Sequence, residues 1–272
     1  MTSPALAADL MDKGIAWAGL AGDAFAYVMA SVASTGRWLV VVDETDQMDR
    51  VISGLRFFHH APERVLCLPP DDGRLYDGYS PDAQVVQERL RTLHRVDGSK
   101  DLIVVTCAAA LMRRVPSKAE RRKGTRVVKV GDILDRDDLV RDLVAAGYLA
   151  TGRVESAGTF AVRGDVVDVW GASLSSPVRI DFWDDEVELL QRFDPATHRP
   201  TKRIKRTALL PAREERIDAG SVARAKAFLN DAVAEQGRGV ALRRRVVEDL
   251  EAGLRFSAIE DWLDALVETV AP

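Results

Sequence analysis

Cysteine and histidine are scarce: two and four in 272 residues. Cys67 and Cys107 lie in the apolar runs "RVLCL" and "LIVVTC". Reduced, buried thiols are expected there, and a disulfide framework is excluded. His59 and His60 are adjacent, so they cannot share one face of a helix or strand. His94 falls in a helical pattern and His198 in a turn. No Cys/His spacing has the form of a zinc site, and no metal is expected. No G-x-S-x-G elbow occurs. The clustered carboxylates Asp184, Asp185 and Glu186 fall at a predicted hairpin tip, where a solvated turn accounts for them better than acid–base chemistry. No catalytic residue and no cofactor site is therefore predicted. No apolar run approaches a membrane span and no signal peptide opens the chain, so a cytoplasmic protein is expected. A positive excess is also lacking. The net charge is −4, which argues against a dedicated nucleic-acid binder. Basic density at Arg113–Arg126 and Lys202–Arg206 keeps a DNA-binding or residual nucleotide-binding role as the alternative.

Apolar residues make up 47% and charged residues 29%, enough for a buried core and more than one compact unit. The first part alternates two patterns. "WLVVVD", "RVLCLP" and "LIVVTC" are short, nearly continuous apolar runs, as strands buried on both faces read. Helical periodicity lies between them, at "ETDQMDRVISGLRFF" and "PDAQVVQERLRTLHR". That alternation predicts a parallel sheet with right-handed crossovers. A helix is also predicted at "PALAADLMDKGIAWAGL", and another at "DAFAYVMASVAS", with Phe25, Val28, Met29 and Val32 at helical spacing. The basic stretch "RRVPSKAERRKGTR" reads as a connection between units.

Between the first two helices, "WAGLAGDAF" has the outline of half a phosphate-binding loop. A working loop is G-x-x-x-x-G-K-[ST]. With Gly22 as the second glycine, Trp17 takes the place of the first, Asp23 that of the lysine and Ala24 that of the hydroxyl. An acidic group where the triphosphate needs a cation reverses an interaction worth about 4 kcal/mol at an effective dielectric near 20. ATP hydrolysis by this segment is not expected. Asp43-Glu44 follows a strand, where a Walker-B pair would stand, but reads more simply as a helix start.

The next stretch has different grammar. "TRVVKVGD" reads as a strand and "DRDDLVRDLVAAGY" as a short helix. Aspartates crowd its start, Leu139, Val140, Leu143 and Val144 form its apolar stripe, and Gly147 suits its C-terminal cap. "GTFAVRG", "DVVDVWG" and "PVRIDFWDDEVELLQRFD" then read as closely spaced antiparallel strands. Val178, Ile180 and Phe182 alternate, Asp184-Asp185 turns the chain, and Val187 and Leu189 resume the alternation. After the strand-like "RTALLPAREER" the remainder reads helical.

These strands, with "LLPARE", the upstream "GLRFFHHAPERVLCLPPDDGRLYDGYSPD" and the later "VVEDLEAGLRFSAIEDWL", together resemble the amino-terminal module of the bacterial transcription-repair coupling factor (Mfd) family, itself similar to UvrB. Ser257 stands where a glycine is usual. The resemblance implies a helicase-like, degenerate P-loop α/β domain over residues 1–118. It implies an inserted α+β domain that binds UvrA over 119–203, and a strand returning to the first domain followed by C-terminal helices over 204–272. It also implies a non-catalytic module that recruits UvrA in transcription-coupled nucleotide excision repair, monomeric, with RNA polymerase and DNA engaged only through other domains of a full-length protein. Arg163 occupies the arginine of the family's F-x-V-R-G motif and Trp170 the aromatic position ending the next strand. Leu149 and Ala150 follow Tyr148 where the family often has a basic residue, and Arg153 is the nearby substitute. Phe160 completes the expected set of UvrA contacts.

Overall fold

The computed structural model describes residues 20–70, 80–236, 240–252, 259–267 and 270–271. The first predicted helix, Trp17, the "GRLYDGY" run and Ser257 lie outside the described residues. The chain forms two compact units. One comprises residues up to Pro70 with Thr92–Arg113. The other takes the described residues among 71–91 and from Arg114 onward.

In the first unit, helix α1 (Ala24–Val32) precedes strand β1 (Arg37–Val42). Helix α2 (Thr45–Phe58) leads to β2 (Val65–Leu68). Helix α3 (Ala83–Gly98), through which the boundary between units passes, leads to β3 (Leu102–Cys107) and the short helix α4 (Ala108–Leu111). The strands are parallel, in the order β1-β3-β2, as the apolar runs predict. All six residues of the central β3 are buried, whereas Leu39 and Val41 of the edge strand β1 are exposed. Ala26, Ala30, Val40, Met48, Ile52, Leu55, Ile103 and Val105 form the core. Gly54 lets α1 and α2 approach closely: a Cβ there would lie 2.7 Å from that of Ala26. Cys107 is buried and Cys67 half-buried, both as free thiols. At the entry to α1, Gly22 has a φ of 61° and Asp23 accepts a hydrogen bond from Arg50 Nε at 3.2 Å.

The second unit is built on a six-stranded sheet. Strand β4 (Val115–Pro116) pairs with the terminal β13 (Val270–Ala271). Helix α5 (Lys118–Lys123) follows, so the expected connection at 113–126 is partly helical. Its cause is legible in "SKAE": the Ser117 hydroxyl accepts a hydrogen bond from the Glu120 amide at 3.3 Å, an N-cap of the S-x-x-E type. Strand β5 (Arg126–Lys129) leads into helix α6 (Arg136–Ala145). Asp135 caps α6 by accepting from the Asp138 amide at 2.8 Å. At its other end Gly147 adopts a φ of 86°, its amide donates to Val144 O, and the Tyr148 amide donates to Leu143 O, the Schellman pattern. Leu139 and Leu143 of α6 are buried, but Val144 is 49% exposed, so the predicted apolar stripe is narrower than expected.

Strands β6 (Leu149–Ala150), β7 (Thr159–Arg163), β8 (Val166–Trp170), β9 (Val178–Trp183), β10 (Glu186–Phe193) and β11 (Pro200–Ile204) form the sheet in the order β11-β10-β9-β8-β7-β6. Pairing is antiparallel except between β6 and β7. The β9–β10 turn falls at Asp184-Asp185 as predicted, with Asp184 at a φ of 55°. Helix α6 packs on one face of this sheet through Leu139, Leu143, Phe160, Val167, Val169, Val178, Ile180 and Leu190. Strand β12 (Arg206–Leu209) pairs with β5 within this unit. The strand expected from 204 pairs with the β-branched run "RVVK", with Thr207 opposite Val128. Helices α7 (Ala219–Gln236), α8 (Val240–Glu251) and α9 (Leu263–Leu266) follow. They share a small core of Ala225, Leu229, Val246, Leu250 and Leu266.

Gly147→Ala tests the α6 cap. A side chain at that φ costs about 1–2 kcal/mol, so the urea midpoint falls while the m-value stays unchanged.

Candidate functional site

Because α6 covers one face of the sheet, the alternate side chains form the other. The register places Ala161, Asp168, Arg179, Gln191 and Arg203 in one row across five strands, with Arg163, Val166, Asp181 and Leu189 in the next. Trp170 lies two residues beyond Asp168, and Trp183 two beyond Asp181, so both project from this open face.

A charged pair sits at the middle of the face. Asp168 is 2% exposed, and Arg179 donates to its two oxygens at 2.7 and 2.8 Å. The hydrogen bond to Asp168 raises the Arg179 pKa, against the opposing effect of burial. The guanidinium carbon also lies 5.1 Å from the centroid of the buried Phe193 ring. Burial raises the Asp181 carboxyl, against the pull of Arg179.

The turn after β10 places a histidine over the same ring. Asp194 accepts from the amides of Ala196 and Thr197 at 3.0 and 2.8 Å and from the Thr197 hydroxyl at 3.0 Å. These bonds, led by the Thr197 amide, hold its carboxyl below the ordinary carboxylate range. His198 takes a φ of 57° and stacks 5.1 Å from Phe193. Neither ring nitrogen has a hydrogen-bond partner among the described residues, and both are screened from solvent. Burial, then the Arg153 charge, push the imidazole below its ordinary value of 6.5, while Asp168 opposes them.

The predicted contact residues divide between the two faces. Arg153 is exposed and donates to Ala196 O at 3.2 Å, joining the 151–156 loop to the 194–199 turn. Arg163 is exposed and donates to Gly152 O at 2.7 Å. The two carboxylates nearest to it in sequence have other partners: Asp168 holds Arg179, and Asp165 lies 3.9 Å from Arg136. Arg163 makes no ion pair among the described residues. Trp170 is half-buried, donates to Leu174 O at 3.1 Å and packs against Val154, Ala161 and Phe193. Phe160 is corrected. It is 2% exposed and turned to the α6 side, because period-two alternation sends it to the face opposite Ala161 and Arg163.

Sequence reading passed over Trp183 and Arg179. Trp183 is 74% exposed, at the end of β9. The signal was present: once Val178, Ile180 and Phe182 are assigned to the core, Arg179, Asp181 and Trp183 must face outward. Among the described residues no group of three or more His, Cys, Asp or Glu side chains is placed to hold a metal ion, and no helix is long and apolar enough to cross a membrane.

A sheet with one helix-covered face and one open face of arginine, tryptophan and a buried ion pair has the form of a protein-docking domain. Residues 127–214 match the family model of the UvrB interaction domain. Beyond them, the chain is similar to the transcription-repair-coupling factor of Myxococcus xanthus, 40% identical over 206 residues that cover 72% of this chain and 17% of the relative. It is 30% identical to that of Haemophilus influenzae over 244 residues, 88% of this chain and 20% of the relative. It is 27% identical to the UvrABC system protein B of Gemmatimonas aurantiaca over 176 residues, 65% of this chain and 25% of the relative. The resemblance to the UvrB-like module of coupling factors thus extends over most of the chain, which spans about a fifth of the length of those coupling factors.

Two substitutions probe the face. Asp168→Ala leaves Arg179 without its buried partner and costs about 3 kcal/mol. Adding Arg179→Met recovers part of that loss in urea melts, since the orphaned charge is gone. His198 binds a proton more readily unfolded than folded, so stability falls as pH drops below its ordinary value of 6.5. His198→Gln removes that part of the slope between pH 7 and 5, read as the urea midpoint against pH.

Proposed function

We propose that this chain is a non-catalytic, UvrB-like interaction module of a transcription-repair coupling factor, and that the open face of its six-stranded sheet docks UvrA. The observation that carries the reading is the pairing of Arg163, a cation with no ion-pair partner among the described residues, with the strongly exposed Trp183 on a face inside the matched interaction domain. A forked guanidinium and a large exposed aromatic on one face are the residue chemistry of interface hot spots. Trp170 and Phe193 pack together on that same face, and Arg153 ties the loop that borders it to the 194–199 turn.

The first unit supports the non-catalytic part. In this reading it is the first part of a helicase-like domain whose nucleotide loop has lost its lysine. Asp23 takes the lysine position and is held by Arg50. The module acts in recruitment for transcription-coupled repair, and in the full-length protein the motor, the contacts with RNA polymerase and the main contacts with DNA belong to other domains.

The test is titration calorimetry of the purified chain with UvrA. Arg163→Glu and Trp183→Ala are each expected to weaken binding at least tenfold while leaving the urea midpoint within experimental error. Wild-type affinity in both variants would remove the open face from the reading.

A further inference from the structure

We infer that the β11–β12 edge of the second unit is a binding ridge for the phosphate backbone of duplex DNA, meeting the face proposed for UvrA only at Arg203. Strand β11 ends the sheet order, so its outer edge is unpaired. Arg199, Lys202, Arg203, Lys205 and Arg206 are all exposed along the extended segment from the turn at 199 into β12. Lys129, exposed on β5, lies directly opposite Arg206 in the antiparallel register. None of these six cations has an ion-pair partner among the described residues. The chain as a whole carries a net charge of −4, so this is a local concentration of charge set against the overall balance.

Protection of a sheet edge is the ordinary reason for lysine on an outer strand. It accounts for one or two charges on β11 and is indifferent to their sign. It does not account for Arg206 opposite Lys129, because β12 and β5 are already paired there. Like charges directly opposite each other in a ladder are destabilising. An anion lying between them reverses that cost.

The chemistry of the ridge selects among polyanions. The exposed residues between its cations are Pro200 and Thr201, and Ile204 is half-buried against the sheet core. The ridge therefore offers no aromatic anchor, which a protein partner would use as a hot spot and which single-stranded nucleic acid would use for stacking. Cations alone along an extended strand suit a regular line of phosphates. At about 3.3 Å per residue, Arg199 to Arg206 spans about 23 Å, or roughly seven base-pair steps of duplex. Because β11 is an edge, side chains from both of its faces, Lys202 on one and Arg203 on the other, reach a partner lying along it.

Fluorescence anisotropy of the chain with a labelled 20-base-pair duplex tests this. With about four phosphates neutralised, log K against log salt has a slope near −3.6, and affinity falls about a hundredfold between 50 and 200 mM salt. The triple variant Arg203→Gln, Lys205→Gln and Arg206→Gln is expected to lower the slope by about 2.7 and to weaken binding at least tenfold at 50 mM. A charge-matched control, Arg50→Gln, Arg141→Gln and Arg244→Gln, removes three exposed charges elsewhere and is expected to retain most of the affinity. Urea melts of both variants confirm that they fold. Equal loss in the two variants, or no salt-dependent binding by the native chain, overturns the ridge. A polyglutamate peptide that binds at least as tightly as the duplex also overturns it in favour of an acidic protein.

Discussion

A sheet covered by a helix on one side only must satisfy the polar groups of its other side without burying that side completely. In the second unit this is done by one bidentate ion pair. Asp168 is nearly inaccessible on a central strand, and Arg179 meets both of its oxygens from the directly opposite position. The pair gives up solvation to form, so replacing both partners by apolar residues of similar volume need not destabilise the domain. What it gives is position. It fixes the Arg179 guanidinium beside Phe193, leaves Arg163 without a competing carboxylate, and keeps the centre of an otherwise open face polar. The loops at one end are then tied through carbonyls: Arg163 to Gly152 and Arg153 to Ala196.

Much of this was legible from side-chain periodicity. Val178, Ile180 and Phe182 set the inward face of β9, and the same alternation fixes Arg179, Asp181 and Trp183 as outward. The continuous runs at β1, β2 and β3 specified a parallel sheet, although only the central β3 is buried on both faces, Leu39 and Val41 of the edge strand being exposed. The Schellman cap at Gly147 was legible for a local reason, glycine being the residue that takes a positive φ without cost. Local patterning fails where pairing is non-local. Nothing within "RTALL" states that its partner is "RVVK", some eighty residues earlier, rather than the first sheet. Phe160 shows a different limit. An aromatic beside the F-x-V-R-G arginine reads as a contact, yet adjacent residues on a strand face opposite ways, so Phe160 and its neighbour Ala161 cannot share a face.

The loop at Gly22 separates architecture from chemistry. A glycine with positive φ still turns the chain into a helix, and that helix still packs closely on the next one through Ala26 and Gly54. Packing of this kind depends on small residues and backbone geometry. The Asp23–Arg50 pair is largely exposed, with side chains 59% and 65% accessible, so its contribution to stability is small. Its significance lies in sign. The Asp23 carboxylate draws Arg50 across from the neighbouring helix.

Two surfaces of the second unit therefore follow different physical rules. The open face combines directional groups, a guanidinium fork and an indole, around a desolvated pair, an arrangement that rewards a shaped partner and responds weakly to salt. The β11–β12 ridge has no directional anchor and no internal counter-charge, and any partner it holds is held by the release of ions from both surfaces. They meet at Arg203, which belongs to the row that contains Arg179, whereas Lys202 points to the other side and Arg206 lies beyond, on the strand paired to β5. A rigid sheet can in this way carry a shape-selective contact and a charge-selective contact some strands apart.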